Sequence, residues 1–380
     1  MGDLRVRVGI FHPTLDWYGG AEVVAVAMAN SLAQNGYDVV VFVNNTLDQK
    51  RIRDMVGEPL WSSIKVIVNP TFFNPHGRFH IYESAYRSLT LKLHCDLLVD
   101  TYSNCVFPWS NVSYIHFPIV INRARTQFVP PFLKGLRFYD VLAAPYVFFQ
   151  KRLEDYKGKL IFTNSYFTAK VVMDSLGIEP KVLYPPIPNF FFQQSCPMAE
   201  RPREDLVVTI ARFGYGKSVE LVPSIANLTC KNVHYVMIGL AHDQSIIQAV
   251  KNKIKRLHLE ARIVVVPNAS RQDIKNYLAK AKVYLHTMKN EHFGISIAEA
   301  MSMGCVPVVH NSGGAPEFVP DRYRYSTIQH AAVIINDAIK NWSSAEAEGL
   351  IQLAARFSET NFSKKFMQFF KEYCESQTQC

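Results

Sequence analysis

Two glutamates in the last third of the chain have the type and spacing of a ligand-binding pair. Glu291 stands before a bulky aromatic residue and Gly294, and Glu299 follows eight residues later in a run that favours a helix. Strand-forming residues lie before Glu291 and after the helix, which is the order of one half of a βαβ repeat. Open α/β sheets bind ligands at the loops that follow their strands. We therefore predict that Glu291, on the loop, and Glu299, one to two turns into the helix, face one ligand.

The start of that helix also predicts a phosphate site. The first turn of a helix presents N–H groups without intrahelical partners, and Gly294 leaves no side chain in the path of a phosphate. A carboxylate repels phosphates, so its useful role beside them is to accept hydrogen bonds from the hydroxyls of a sugar or a ribose. An isolated pair of glutamates at this spacing is more often part of an ordinary amphipathic helix. The choice between a binding site and a surface helix therefore depends on the neighbouring motifs.

Two cations lie in a glycine-rich turn after an earlier predicted strand. Arg212 and Lys217 are five residues apart in the sequence Arg-Phe-Gly-Tyr-Gly-Lys. Arginine offers a planar fork and lysine a compact charge, so together they can hold a pyrophosphate and stabilise it as a leaving group. The alternative is a pair of solvated surface cations.

Two further candidates lie in the first half of the chain. Gly19 and Gly20 follow a predicted strand and open a predicted helix, as in a Rossmann-type half, although a glycine pair is weaker than a full dinucleotide fingerprint. A tight turn without a ligand is the alternative, and a nicotinamide site has little support. His116 ends a predicted strand, which is a ligand-facing position, although a lone histidine is more often structural.

The sequence around these candidates resembles one enzyme family. Residues 291–299, Glu-His-Phe-Gly-Ile-Ser-Ile-Ala-Glu, resemble the paired-glutamate motif of retaining glycosyltransferases with the GT-B fold, of the glycogen-synthase-like family four. Tyr-Ile-His-Phe-Pro around His116, Val-Leu-Tyr-Pro-Pro at 182–186 and His-Asn-Ser-Gly-Gly at 310–314 are similar to the dolichol-linked-oligosaccharide mannosyltransferases. The resemblance covers nearly the whole chain.

The resemblance implies an α/β protein with two Rossmann-like domains that face each other across a cleft, and a role for each candidate. Arg212 and Lys217 would bind the pyrophosphate, Glu291 the sugar hydroxyls, Glu299 the ribose and His116 the transferred sugar. The predicted catalytic residues are His116, Arg212, Lys217 and Glu291. The predicted donor-binding residues are Gly19, Gly20, Arg212, Lys217, Glu291, Phe293, Gly294, Ile295 and Glu299. Phe293, Gly294 and Ile295 would act through their backbone amides.

Length and proline placement predict the domain organisation. A chain of 380 residues is too long for one ordinary core, and a proline-rich stretch from Pro185 interrupts the alternation of strands and helices. We predict an acceptor-binding domain over residues 1–188 and a donor-binding domain over 189–356. Residues 357–380 should form an amphipathic helix that crosses back to the first domain.

Composition bears on the cellular compartment of the protein and on whether it binds a metal. Hydrophobic residues make up 48% of the chain, yet no run of eighteen apolar residues occurs and the N-terminus lacks a signal-peptide core. Seven cysteines are scattered singly, which favours reduced thiols over disulfides or a zinc site. We expect a cytoplasmic protein without a metal cofactor, since no Asp-x-Asp motif or His/Asp cluster occurs.

The formal charge of +9 points to an anionic partner. Residues 123–159 hold eight basic residues against three acidic ones, interleaved with aromatic residues. This alternation is typical of membrane-surface segments, although aromatic residues in the core beneath a solvated charged face would give the same pattern. No zinc-finger or RNA-recognition motif supports nucleic acid. We expect peripheral association with an anionic membrane.

The resemblance, together with these features, implies a retaining, metal-independent glycosyltransferase that uses a nucleotide diphosphate sugar. The resemblance favours transfer of mannose from GDP-mannose to a polyprenyl- or dolichyl-phosphate-linked oligosaccharide at the cytosolic face of a membrane. A UDP-glucose or UDP-N-acetylglucosamine enzyme that makes a glycolipid or polysaccharide is the alternative donor class. A non-catalytic nucleotide-sugar-binding subunit is the alternative of another kind, and a sugar-nucleotide epimerase would need acid/base carboxylates in the first domain, where only Glu22 stands out.

Overall fold

The computed structural model describes residues 6–15, 19–56, 59–69, 80–118, 156, 158–193, 203–241 and 243–378. These residues divide into two compact units. The first contains the described residues up to Pro188 together with the C-terminal segment from Glu359, and the second runs from Asn189 to Ser358.

The first unit is a parallel sheet with helical connections. Its elements are β1 (Arg7–Phe11), α1 (Gly20–Gln34), β2 (Asp38–Val43), α2 (Gln49–Val56), β3 (Lys65–Val68), α3 (His80–Lys92), β4 (Leu97–Asp100), β5 (Val112–Ile115), β6 (Leu160–Thr163), α4 (Tyr166–Leu176) and β7 (Lys181–Val182). The strand order is β3-β2-β1-β4-β5-β6-β7, and the paired strands run parallel. The order reverses between β1 and β4, where open α/β sheets bind ligands.

The second unit repeats the same plan. Its elements are β8 (Glu204–Ile210), α5 (Val222–Ala226), β9 (His234–Gly239), α6 (Gln244–Arg256), β10 (Ile263–Pro267), α7 (Arg271–Lys280), β11 (Ala281–His286), α8 (Ile295–Ser302), β12 (Val306–His310), β13 (Arg324–Tyr325), α9 (Ile328–Asn341) and α10 (Ser344–Ala355). The strand order is β10-β9-β8-β11-β12-β13, with parallel pairing and a reversal between β8 and β11.

The last helix, α11 (Glu359–Thr378), belongs to the core of the first unit. Phe362, Phe366 and Phe370 recur at the spacing of one helical face, and all three are buried. The ring of Phe366 packs against Phe162 of β6, and that of Phe370 packs edge-on against Tyr37. Burial of this apolar face explains why α11 is ordered against the sheet.

The local patterns predicted the principal elements. In α4, for example, local residue types set both ends: the Ser165 hydroxyl accepts a hydrogen bond from the Thr168 N–H, and Gly177 ends the helix at φ 69°. The strands predicted before Gly19, His116, Arg212 and Glu291 are β1, β5, β8 and β11. Most of the charged and aromatic stretch at 123–159 lies outside the described residues. Among the described cysteines, Cys95, Cys230 and Cys305 are free thiols.

Candidate active site

Glu291 lies at the centre of a buried polar network after β11. Its Oε2 accepts hydrogen bonds from Lys217 Nζ at 2.8 Å and from His286 Nε2 at 3.0 Å. Its Oε1 accepts from its neighbour's N–H, that of His292, at 3.1 Å. His286 is the last residue of β11 and Lys217 ends the glycine-rich turn after β8, so neighbouring strands bring both partners to one carboxylate.

This network sets the ionisation of Glu291. Burial alone would raise the pKa of the carboxyl group, but the charge of Lys217 and the hydrogen bond from His286 outweigh burial and hold the pKa well below its usual range. Glu291 is therefore a carboxylate at neutral pH. An ionised carboxylate accepts hydrogen bonds and donates none, which suits it to binding sugar hydroxyls.

The loop of Glu291 is fixed by the His-Asn-Ser-Gly-Gly segment after β12. Gly313 has a φ of +78° and forms an isolated parallel bridge with Glu291, and the Gly314 N–H donates to the Glu291 carbonyl at 2.7 Å. A Cβ on Gly313 would lie 2.3 Å from that carbonyl oxygen. The Ser312 hydroxyl accepts from the Asn290 N–H at 2.9 Å. This motif therefore determines where the Glu291 backbone lies.

Gly294 and Phe293 connect the loop to α8. Gly294 caps α8 at a φ of +95°, and a Cβ there would lie 2.4 Å from Ile297 Cδ1. Phe293 is buried between Phe318 and Phe357, at ring-centroid distances of 4.9 and 5.1 Å. The side chain of Phe293 thus anchors the loop, which leaves its backbone as the group available to a ligand. Ile295 is the first residue of α8 and is partly exposed.

Glu299 is buried on α8 and engaged in a second ion pair. Arg271 Nη2 lies 2.6 Å from Glu299 Oε1, and Nη1 lies 3.4 Å from Oε2. Burial is the largest cause that raises the pKa of Tyr284, and the charges of Glu299 and Glu291 act in the same direction. The Tyr284 hydroxyl lies 2.8 Å from Ser296 Oγ and 3.4 Å from His286 Nδ1. The Tyr284 hydroxyl thus lies between His286, which contacts Glu291, and Ser296 of the helix that carries Glu299.

The turn that carries Arg212 and Lys217 is held against the ends of β9 and β11. The Thr287 hydroxyl donates to the Lys217 carbonyl at 3.0 Å. A Cβ on Gly239 would lie 1.7 Å from the Ala211 carbonyl oxygen, so only glycine lets the end of β9 approach this closely. Lys217 is drawn inward to Glu291, whereas Arg212 is exposed to solvent.

The candidates of the first unit lie at the carboxyl edge of its sheet. His116 follows β5 directly, is partly exposed, and its Nε2 donates to the Thr101 carbonyl at 3.1 Å. Since a carbonyl oxygen only accepts, Nε2 carries the proton in this arrangement. Gly19 precedes α1 in extended conformation and Gly20 begins that helix; both are exposed. A Cβ on Gly19 would lie 2.5 Å from the Glu22 carboxylate, which is itself buried.

Two site residues carried no signal strong enough to be assigned from the sequence. His286 was recognisable only as a strand end, and Arg271 only as one arginine in a polar segment. Both become significant through contacts with residues 5 and 28 positions away. In the part of the chain that the structure describes, no group of three or more His, Cys, Asp or Glu side chains is placed to hold a metal ion. Within the same residues, no helix combines the length and apolar character needed to cross a bilayer.

Solved structures share this two-sheet architecture. The Anabaena protein HepE, determined in complex with UDP and glucose, matches with a TM-score of 0.72 at 17% identity over 97% of this chain and 100% of that one. WaaG, a glycosyltransferase involved in lipopolysaccharide biosynthesis, matches with a TM-score of 0.69 at 15% identity over 94% and 98%. The chain has the GT-B glycosyltransferase fold.

Sequence comparison defines the class more closely. Residues 196–363 match the family described as "Glycosyl transferases group 1", and the curated proteins that the chain resembles include mannosyltransferases. A Dictyostelium discoideum protein named GDP-Man:Man(3)GlcNAc(2)-PP-Dol alpha-1,2-mannosyltransferase is 28% identical over 56% of this chain and 47% of its own length. The alpha-1,3/1,6-mannosyltransferase ALG2 of Kluyveromyces lactis is 24% identical over 95% and 83%. The match thus spans about half of the Dictyostelium relative.

Replacement of Gly313 by alanine should displace Glu291. The added methyl would overlap the Glu291 backbone and would also have to adopt a positive φ, so we expect a loss of roughly 1 to 3 kcal/mol in the free energy of unfolding. Gly349→Ala is the matched control. Gly349 lies within α10 with no heavy atom near the added Cβ, and alanine there should stabilise by roughly 0.5 to 1 kcal/mol. Denaturant unfolding measures both, and equal effects of the two variants would contradict this role of Gly313.

Acidification should destabilise the chain partly through His292. Burial, the largest cause, lowers the pKa of His292 to about 4. Between the unfolded value near 6.5 and that pKa, the unfolded chain binds the proton and the folded chain does not. His292 therefore leaves the free energy of unfolding unchanged above about pH 6.5. As the pH drops toward 4, this group lowers that free energy by up to about 1.4 kcal/mol per pH unit. In His292→Gln, the free energy of unfolding measured between pH 6.5 and 4 should depend less on pH. An unchanged slope would show that His292 is not the group responsible.

Proposed function

We propose that this chain is a retaining mannosyltransferase that uses GDP-mannose and a polyprenyl-diphosphate-linked oligosaccharide acceptor. The observation that carries the proposal is the contact between Lys217 and Glu291 at 2.8 Å. A nucleotide diphosphate sugar has an anionic pyrophosphate joined directly to a hydroxyl-bearing ring. A cation beside an ionised, buried carboxylate is complementary to that junction, because the cation suits the phosphate and the carboxylate suits the hydroxyls.

In the proposed reaction, the second unit holds the donor. Lys217 and Arg212 offset the charge that develops on the departing diphosphate. Glu291 orients the sugar through its hydroxyls, with the backbone at Phe293–Ile295 beside it, and Glu299 binds the ribose. For His116, Gly19 and Gly20, the proposed contacts with the sugar and the donor phosphates rest on the sequence resemblance alone.

The proposed chemical step is a front-face displacement. The acceptor hydroxyl oxygen forms a bond to the anomeric carbon on the face from which the diphosphate departs, and the bond from that carbon to the phosphate oxygen breaks. The hydroxyl proton passes to the departing phosphate oxygen, which acts as the base. Attack and departure on the same face retain the configuration, and no metal enters the balance.

The mannose and lipid assignments are drawn from the relatives' names. Both matched mannosyltransferases are named for mannose transfer, and the Dictyostelium name specifies GDP-mannose and a dolichyl-diphosphate oligosaccharide. The proposed location is the cytosolic face of a membrane, with peripheral attachment. The net charge of +9, with its basic stretch at 123–159, supports attraction to an anionic surface.

Transfer assays with radiolabelled donors test the activity. We expect mannose transfer from GDP-mannose to a lipid-linked oligosaccharide, unaffected by EDTA, and little transfer from UDP-glucose or UDP-N-acetylglucosamine. Lys217→Ala should raise the barrier by roughly 2 to 4 kcal/mol, because it removes a charge that acts on the leaving group. Lys289→Ala is the control: it removes an exposed lysine from the loop that carries Glu291 and should keep nearly full activity. Transfer from a UDP-sugar alone would replace the donor assignment, and no transfer with any donor would favour a binding subunit.

Flotation with liposomes tests the membrane assignment. Vesicles of neutral lipid and vesicles containing phosphatidylserine should be compared at rising salt. Electrostatic binding predicts that the chain floats with the anionic vesicles at low salt and is released as ionic strength rises, because the Debye length shortens. Absence of flotation at low salt would reject peripheral binding to an anionic surface.

A further inference from the structure

Arg271 is placed against the dipole of its own helix. It is the first residue of α7, whose N-cap Ser270 forms a capping box with Asp273. The N-terminus of a helix favours negative charge, so a cation at this position is unfavourable unless a partner compensates it. The partner is the buried carboxylate of Glu299, which meets the guanidinium fork with both oxygens. The pair is therefore a specific contact rather than a consequence of helix capping.

A buried aromatic ring fixes the direction of the Arg271 side chain. The guanidinium lies over the ring of Phe191 at 4.7 Å from its centroid, and Phe191 is fully buried. Only 19% of the Arg271 side chain is exposed. Stacking on one face and the ion pair at the edge leave the guanidinium little freedom to turn toward solvent.

The remaining hydrogen-bonding capacity of Glu299 suits a vicinal diol. Two carboxylate oxygens offer about four acceptor positions, and the fork of Arg271 occupies one on each oxygen. One position on each oxygen then remains, and two neighbouring hydroxyls would match that pair. The ribose of a nucleotide carries such hydroxyls at its 2′ and 3′ positions.

We propose that Arg271 is a positioning residue that holds Glu299 in the orientation needed to accept both ribose hydroxyls, and so sets the preference for ribonucleotide donors. This inference rests on the proposed function, in which Glu299 binds the ribose. Arg271 itself touches Glu299 and Phe191 and is assigned no contact with the nucleotide.

Lys275 provides a matched control one helical turn further along α7. Its Nζ donates to the carbonyls of Phe190 and Gln193, each at 2.6 Å, and lies 4.2 Å from the centroid of the Phe190 ring. Lys275 thus fastens the same 189–193 segment as Arg271 does, without the contacts with Glu299 that Arg271 makes. A purely structural role for Arg271 predicts that the two variants behave alike.

The test is calorimetric binding of ribose and deoxyribose nucleotides to the full chain. GDP and 2′,3′-dideoxy-GDP are the probes, with the corresponding uridine nucleotides in parallel. The wild type should bind the ribonucleotide at least about tenfold more tightly, the size of effect expected for lost hydrogen bonds to a charged group. Glu299→Ala and Arg271→Ala should each remove most of that preference, Arg271→Lys should remove part of it, and Lys275→Ala should retain it.

The variants separate the inference from the function on which it rests. If Glu299→Ala loses the preference while Arg271→Ala and Arg271→Lys keep it, the positioning role is wrong and the ribose assignment stands. If Glu299→Ala keeps the preference, the ribose assignment fails and the inference fails with it. Should Arg271→Ala not fold, Arg271→Lys, which keeps the charge but not the fork, decides in the same way.

Discussion

The candidate site depends on one buried carboxylate. Glu291 is removed from water, and a desolvated negative charge is costly unless cations and hydrogen-bond donors compensate it. Lys217, His286 and the His292 N–H supply that compensation from three different parts of the second unit. The ends of β8 and β11 must therefore lie side by side, which the parallel pairing of these strands ensures. The same requirement keeps the site polar and pre-organised before a donor arrives.

Backbone geometry secures what electrostatics requires. Gly313 permits an approach to Glu291 that no side chain would allow, and Gly294 turns the chain into α8 through a positive φ. Gly239 lets the end of β9 approach the Ala211 backbone, next to Arg212, more closely than any side chain would allow. At Gly313 and Gly239 glycine is needed for close packing of backbone on backbone, and at Gly294 it leaves room for the side chains of Ile297 and Glu291, in addition to any approach of a ligand. The positions of the charged residues therefore depend on these glycines, because a shift of the backbone at a glycine would move Glu291 away from Lys217.

The second glutamate is organised on different terms. Glu299 sits within a helix and gains its orientation from Arg271, which in turn stacks on Phe191 at the beginning of the second unit. These two contacts connect the segment that follows Pro188 to the carboxylate that we propose binds the ribose. Glu291 and Glu299, alike in the sequence motif, have different partners. One is paired with a lysine and a histidine, and the other with the fork of an arginine.

The sequence by itself determined the α/β class, the principal strands and helices, and the segments that carry the site, because these follow from local periodicity, capping residues and motif spacing. Ser165, Gly177 and the strand that ends at His286 are examples of signals contained within a few residues. Only the tertiary structure decided which residue meets which. His286 and Arg271 gained their significance from contacts, and Gly313 from the backbone of Glu291. Such pairings depend on strand order and on the path of loops after β11 and β12, and a long-range contact leaves no mark in the local pattern of either partner.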